Sequence, residues 1–286
     1  MVPAKPLERE IDVRPEGVPK RIRPGLPTAP DDGLWVSKEV YWRDYYDRGD
    51  ASYEWNNGYL EAKGMSTPIQ LSLYGWFLEL LRQYVYVFQN AQLLYLETAF
   101  ELIVPDPKKP GLEKETIRKP DVAVVLNDNP IPWLDNEKSY HGTCDLCVES
   151  LSDSNKANIE RDTKVKMYEY NIVGVKEYYI LDPDNKHMHF YERTDAGAYV
   201  EMLPDSEGVL HSRVLPGFQF RMKDLERQPA LEKLALDPVY QGYVLLEYQA
   251  SERRAEQEKQ RAEQEKQRAD TYRARLLELG IDPDNL

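Results

Sequence analysis

Two cysteines, four histidines and no apolar run of membrane-spanning length are what this 286-residue chain offers. A structural zinc site takes four nitrogen or sulfur ligands, and Cys144-x-x-Cys147 supplies two. A redox pair usually opens a helix, whereas both cysteines fall in a stretch that reads as a strand, where positions three apart face opposite ways. They read as small hydrophobes near a core strand in a reducing compartment. With no run near about 18 apolar residues and no secretory signal, no membrane association is expected, and a cytoplasmic location is. There is no Gly-x-Ser-x-Gly elbow for a serine hydrolase and no glycine loop to cradle a phosphate. His187 and His189 alternate on one strand face without a third ligand, and His141 and His211 lie in loops.

What is abundant is charge. Charged residues make up 30% of the chain and the formal net charge is −13, which argues against broad, non-specific coating of nucleic acid. The basic residues are unevenly placed, however. Lys108, Lys109, Lys114, Arg118 and Lys119 precede one candidate acid, and Lys156, Arg161, Lys164 and Lys166 follow another. A local basic groove and an ordinary solvated surface both fit that distribution.

Three regions are expected. Residues 1–33 are rich in proline, with seven in the first thirty positions, and read as a disordered arm; its Lys20-Arg-Ile-Arg23 patch reads as solvated. Residues 34–230 alternate strand and helix signals and read as one α/β domain. Residues 231–286 read as a charged helical tail, in which Ala255-Glu-Gln-Glu-Lys-Gln-Arg repeats at Ala262 with a period of seven. Only alanine recurs at one seam position and glutamate occupies the other, so the tail is either a solvated helix or the weak stem of a homodimer.

Within the middle region, Ser37 is placed to cap a helix over 38–47. Tyr53 to Glu61 reads as a hairpin turning at Asn57-Gly58, and Thr67-Pro68 opens a long helix with Leu73, Trp76, Phe77, Leu80, Leu81 and Tyr84 on its apolar face. Residues 92–104 read as one strand and 108–119 as a basic loop. The short apolar runs Val122–Leu126, Leu146–Val148 and Tyr178–Leu181 read as strands buried on both faces. A helix from about Lys156 to Asn171, with Ile159, Met167 and Tyr170 inward, joins the last two. Asp121 and Glu149 thus stand at the edges of buried strands, where a carboxylate is costly unless compensated, and a divalent cation is one such compensation.

Pro120-Asp121, Glu149-Ser-Leu-Ser, Asp162-Thr-Lys164 with Tyr168 four positions on, Gly174-Val-Lys-Glu-Tyr-Tyr-Ile-Leu-Asp-Pro183, Leu215-Pro-Gly-Phe218 and Asp237-Pro-Val-Tyr240 follow one another in order. That series resembles the Uma2 family of nucleases, within the PD-(D/E)XK restriction-endonuclease-like superfamily, over roughly Trp35 to Gln249. The resemblance implies a mixed β-sheet flanked by helices and metal-dependent cleavage of a nucleic-acid backbone, with DNA the expected substrate. It implies Mg²⁺ or Mn²⁺ held by Asp121, Glu149 and the carbonyl of Ser150. The superfamily's lysine normally sits two residues after the glutamate, where this chain has Leu151. The family pattern instead implies Lys164 as the third catalytic residue, and Lys166, two positions on, is expected to face roughly the opposite way. Glu54 matches a recurrent family acid but reads narrowly better as a hairpin ion-pair partner. The long helix lacks the histidine usual near its start, which puts its part in the chemistry in doubt. The alternative reading is a catalytically silent adaptor of the same fold, assembling through its tail helix.

Overall fold

The computed structural model describes residues 29–64, 66–95, 98–134, 136–151 and 156–278. The chain divides into two compact units, which meet at Gln228–Pro229.

The first unit opens with a short helical turn, α1 (Lys38–Val40), which widens into a π turn over Tyr41–Tyr45. Ser37 Oγ accepts from the Val40 amide, which fixes the start. β1 (Tyr53–Asn56) and β2 (Tyr59–Ala62) form the hairpin. Asn57 and Gly58 both take positive φ, 48° and 94°, as a tight two-residue turn demands. A Cβ on Gly58 would also stand 2.1 Å from Trp35 Nε1, so only glycine fits there.

α2 (Pro68–Phe88) starts from a reciprocal cap between Thr67 and Gln70 and buries Leu73, Phe77, Leu80, Leu81 and Tyr84. After β3 (Ala91–Tyr95) come β4 (Phe100–Pro105), β5 (Glu113–Arg118), β6 (Val122–Leu126) and β7 (Leu146–Ser150). The crossover is α3 (Lys156–Glu160), a π segment over Arg161–Lys166, and α4 (Met167–Val173), ended by Gly174 in the left-handed conformation. It delivers the chain to β8 (Glu177–Leu181), parallel to β7. β9 (His189–Arg193), β10 (Tyr199–Glu201), β11 (Val209–His211), β12 (Gln219–Arg221) and α5 (Met222–Arg227) complete the unit.

The strands form a six-stranded mixed sheet in the order β10-β9-β8-β7-β6-β3, a four-stranded antiparallel sheet in the order β2-β1-β5-β4, and a two-stranded ribbon, β11-β12. β7 and β8 are buried at every position, as a strand with both faces covered should be. One core cluster joins Ala123, Val125, Cys147, Tyr178 and Ile180 of the large sheet to Phe100, Leu102 and Val104 of the small one, with Tyr170 of α4 among them. A second gathers Tyr41, Tyr53, Trp55, Leu60 and Ile117 on the other face of the small sheet.

Several expectations are corrected. The strand over 92–104 is two strands in different sheets, β3 pairing with β6 and β4 with β5. The basic loop contains β5, whose buried positions Lys114, Thr116 and Arg118 are polar and so hid the alternation. Most of the arm lies outside the described residues, but at its end Ala29 is buried and the Gly33 amide donates to Leu60 O. Both cysteines are free and buried in the same cluster rather than facing apart, because Cys144 precedes β7 and escapes the strand's alternation.

In the second unit, α6 (Leu231–Ala235) is followed by α7 (Leu246–Glu278), exposed along nearly its whole length. No helix among the described residues is long and apolar enough to cross a membrane.

Candidate active site

Val122 pairs with Val148, so one further step in register sets Asp121 across from Glu149, at the end where β6 begins and β7 finishes. The Asp121 carboxylate accepts from the Ser150 amide at 2.6 Å and meets Lys63 Nζ at 2.8 Å. Lys63 Nζ also donates to Lys119 O at 2.8 Å, which anchors the ammonium across the approach to the acid. Glu149 is buried and accepts from Tyr170 Oη at 2.8 Å. Its pKa is raised by burial above all, with Asp162, Asp121 and Glu54 adding repulsion and Lys166 opposing them.

The lysine that meets Glu149 is Lys166. Its Nζ lies 2.9 Å from Glu149, 2.9 Å from Glu54 and 3.3 Å from Asp162. The ammonium is fully buried, and these contacts are ion pairs without an aligned hydrogen bond to any partner. Burial works to lower its pKa, but Glu149, Glu54 and Asp162 outweigh burial and hold it charged. Burial likewise works to raise the Glu54 carboxyl, and Lys166, Arg118, Arg161 and Lys63 together hold it well below the usual range.

Lys164 does not join this centre. Its side chain is 72% exposed and pairs with Glu160 at 3.3 Å. The expected inward residues Ile159, Met167 and Tyr170 do pack against the core, Tyr170 fully buried and the other two partly. A second inward face consists of Asn158, Arg161, Asp162, Lys166, Glu169 and Tyr170, and it is polar. Lys166 lies one turn from both Asp162 and Tyr170, the only hint of its position in the sequence.

Glu54 is the hairpin ion-pair partner expected, and its partners include Lys166. Arg118, fully buried, meets Glu54 at 3.1 Å, Glu61 at 2.7 Å and Glu169 at 2.6 Å. Arg161 reaches Asp162 at 3.2 Å and donates to Ala62 O at 3.0 Å. The supposed basic groove is thus largely internal: Lys114, Arg118, Lys119, Arg161 and Lys166 are all buried. α2 reaches this region through Gln70, whose Nε2 donates to Ser150 O at 2.7 Å.

The donor set Asp121, Glu149 and Ser150 O is all hard oxygen, which suits a cation that keeps several of its waters. Asp121 is partly open to solvent, and the repulsion raising the Glu149 pKa is of the kind a cation relieves. An all-protein cage is not the fit, since no three His, Cys, Asp or Glu side chains gather as a metal site among the described residues.

These elements define an α/β protein that gathers two acids and a lysine where two neighbouring strands end beneath a crossover helix. The chain belongs to the Uma2 family, described as "Putative restriction endonuclease", whose model matches residues 39–223. Among solved structures it is similar to a "putative nuclease belonging to DUF820" from Anabaena variabilis ATCC 29413, at 14% identity and a TM-score of 0.46, covering 63% of this chain and 93% of the other. No curated protein gives a significant match.

Proposed function

We propose that the chain is a metal-dependent endonuclease hydrolysing phosphodiester bonds of nucleic acid, DNA being the expected form. The observation that supports this is the meeting of Asp121, Glu149 and the buried Lys166 ammonium at one strand end. Asp121, Glu149 and the Ser150 carbonyl are the residues to hold Mg²⁺ or Mn²⁺. When bound, such an ion supplies Lewis-acid polarisation of the phosphate and a more acidic water.

The protein's own side chains do the rest. Lys166, kept protonated by three carboxylates, offsets the negative charge that grows on the phosphate during attack. Glu54 and Asp162 are positioning residues for that ammonium. Gln70 fixes the direction of the Ser150 carbonyl, and Tyr170 orients Glu149. Lys164, the lysine first expected, gives up this role to Lys166.

The test is cleavage of plasmid and oligonucleotide substrates in Mg²⁺ and in Mn²⁺. Asp121→Asn, Glu149→Gln and Lys166→Met are each expected to lower the rate by roughly 10²–10⁴, with circular dichroism confirming the fold. Undiminished cleavage by all three variants would falsify the assignment. One observation favours the alternative of a silent adaptor: Lys63 and Lys166 already compensate both acids without any metal. Calorimetry separates the two readings, because the adaptor takes up no Mn²⁺, whereas the nuclease binds it and Asp121→Asn abolishes that binding.

A further inference from the structure

A cleft of about 670 Å³ opens between the β1–β2 hairpin, the turn joining β4 to β5 and the outward side of the crossover helix. Trp35, Tyr59, Lys108, Lys109, Arg161 and Lys164 are among its lining residues. Among the described residues, the ammonium groups of Lys108 and Lys109 have no carboxylate partner. Lys164 shares Glu160 with solvent at 3.3 Å, a pair weak enough to exchange for a better anion. Of the acids along the cleft, Glu61 is paired with Arg118 at 2.7 Å, which leaves Asp106 and Glu160 against Lys108, Lys109 and Lys164. The cleft therefore presents more available positive than negative charge, on a chain whose formal net charge is −13.

Arg161 ties the cleft to the acid centre. It lines the floor, while its Nε lies 4.0 Å from Glu54, the carboxylate that holds Lys166. Two half-buried aromatic rings, Trp35 and Tyr59, line the hairpin side. Trp35 and Tyr59 pair in an isolated antiparallel bridge, and Gly58 leaves the room in which the indole sits.

We propose that this cleft seats a single-stranded segment of nucleic acid, with phosphates on Lys108, Lys109 and Lys164 and a base against Trp35 or Tyr59. The proposal rests on reading the chain as a nucleic-acid hydrolase and adds the form of its substrate. A volume in the small-ligand range, about 300–1,000 Å³, admits a nucleotide or two. A duplex, whose major groove alone is about 12 Å wide, does not enter such a space. Aromatic faces likewise add affinity only for bases free of their own stack. An aromatic-lined, cationic cleft, linked to the acids through Arg161 and Glu54, therefore selects an unpaired strand over a paired one.

The experiment is fluorescence anisotropy on the full chain in EDTA, where no hydrolysis is needed, with a labelled oligo(dT) and a duplex of equal length across a salt series. Wild type is expected to bind the single strand about ten-fold more tightly than the duplex. Lys108→Gln combined with Lys109→Gln should weaken single-strand binding at least ten-fold and make the log–log salt slope shallower by about 1.4, at roughly 0.7 per phosphate contact. The exposed control Lys223→Gln should change neither. Trp35→Phe should lower single-strand affinity without altering the slope, and thermal melting checks its fold. Duplex binding as tight as single-strand binding overturns the proposal, as does an unchanged slope in the double variant. Loss of Mg²⁺-dependent cleavage in Lys166→Met with oligo(dT) binding intact tests hydrolysis alone, so the two readings fail separately.

Discussion

The six-stranded sheet and the inner face of the four-stranded sheet bury their residues by opposite means. In the large sheet, β6, β7 and β8 bury mostly Val, Ala, Leu, Ile and Tyr, and burial of apolar area is their main source of stability. Across β1, β2 and β5 of the small sheet, the inner positions are Glu54, Asn56, Glu61, Lys114, Thr116 and Arg118. There each charge is tolerable because opposite charges surround it, and each becomes a liability once a partner is removed. Apolar packing therefore holds the strand ends in place, and the charged face holds Lys166 to Glu149. Apolar burial thus dominates one region and charge pairing the other, and both carry stability.

The sharpest way to break that division is to remove one member from each side. Arg118→Met leaves Glu54 and Glu169 buried with fewer partners and is expected to cost about 3–5 kcal/mol or more. Phe77→Ala empties a site packed by Tyr179, Phe218 and Phe220 and should cost about 3–5 kcal/mol. All five tryptophans lie before Gln228, so urea unfolding followed by tryptophan fluorescence reports the first unit. If Arg118→Met costs under about 1 kcal/mol, the charged face is not the structural element described here.

A second test uses pH. Glu54 is more acidic folded than unfolded, so above its unfolded pKa near 4.5 its full contribution is present. Below that, the unfolded chain takes up the proton first, and the contribution is lost as the pH falls toward the folded pKa. The stability gap between wild type and Glu54→Gln should therefore be widest near neutral pH and narrow steadily below about 4.5. A gap that stays constant down to pH 3 would show that Glu54 is not held ionised by its neighbours.

The same division governs how much could be read in advance. Val122–Leu126, Leu146–Val148 and Tyr178–Leu181 announce buried strands because their apolar runs are short and β-branched, and Thr67-Pro68 announces a helix start. β5 gives no such sign, since Lys114, Thr116 and Arg118 at its buried positions look like a solvated loop until Glu54, Glu61 and Glu169 are seen opposite them. The acids Asp121 and Glu149 were legible because they terminate apolar strands. Lys166 was harder to place, because charge pairing across two sheets buries it and its one-turn spacing from Tyr170 is the only sign the segment gives.

A smaller effect concerns the carbonyl beside Glu149. Gln70→Leu removes the donor to Ser150 O and also the side-chain oxygen that accepts from the Thr67 amide at the start of α2, and should cost about 1–3 kcal/mol. The far-UV spectrum of the chain should stay close to wild type, because beyond its first turn α2 is held by its apolar face. An unfolding midpoint equal to that of wild type would mean that the carbonyl finds another donor and that α2 contributes packing alone.

The smallest expected effect is the most discriminating. Lys164 and Lys166 are two residues apart on one helix, yet Lys164→Ala loses only an exposed pair with Glu160 and should alter stability by no more than about 0.5 kcal/mol. Lys166→Ala strips the ammonium from three buried carboxylates and should cost several times as much, about 3–5 kcal/mol. Paired unfolding curves of the two variants check this directly. If the two costs came out equal, the buried face of the crossover helix would be wrong, and the case for Lys166 beside Glu149 would go with it.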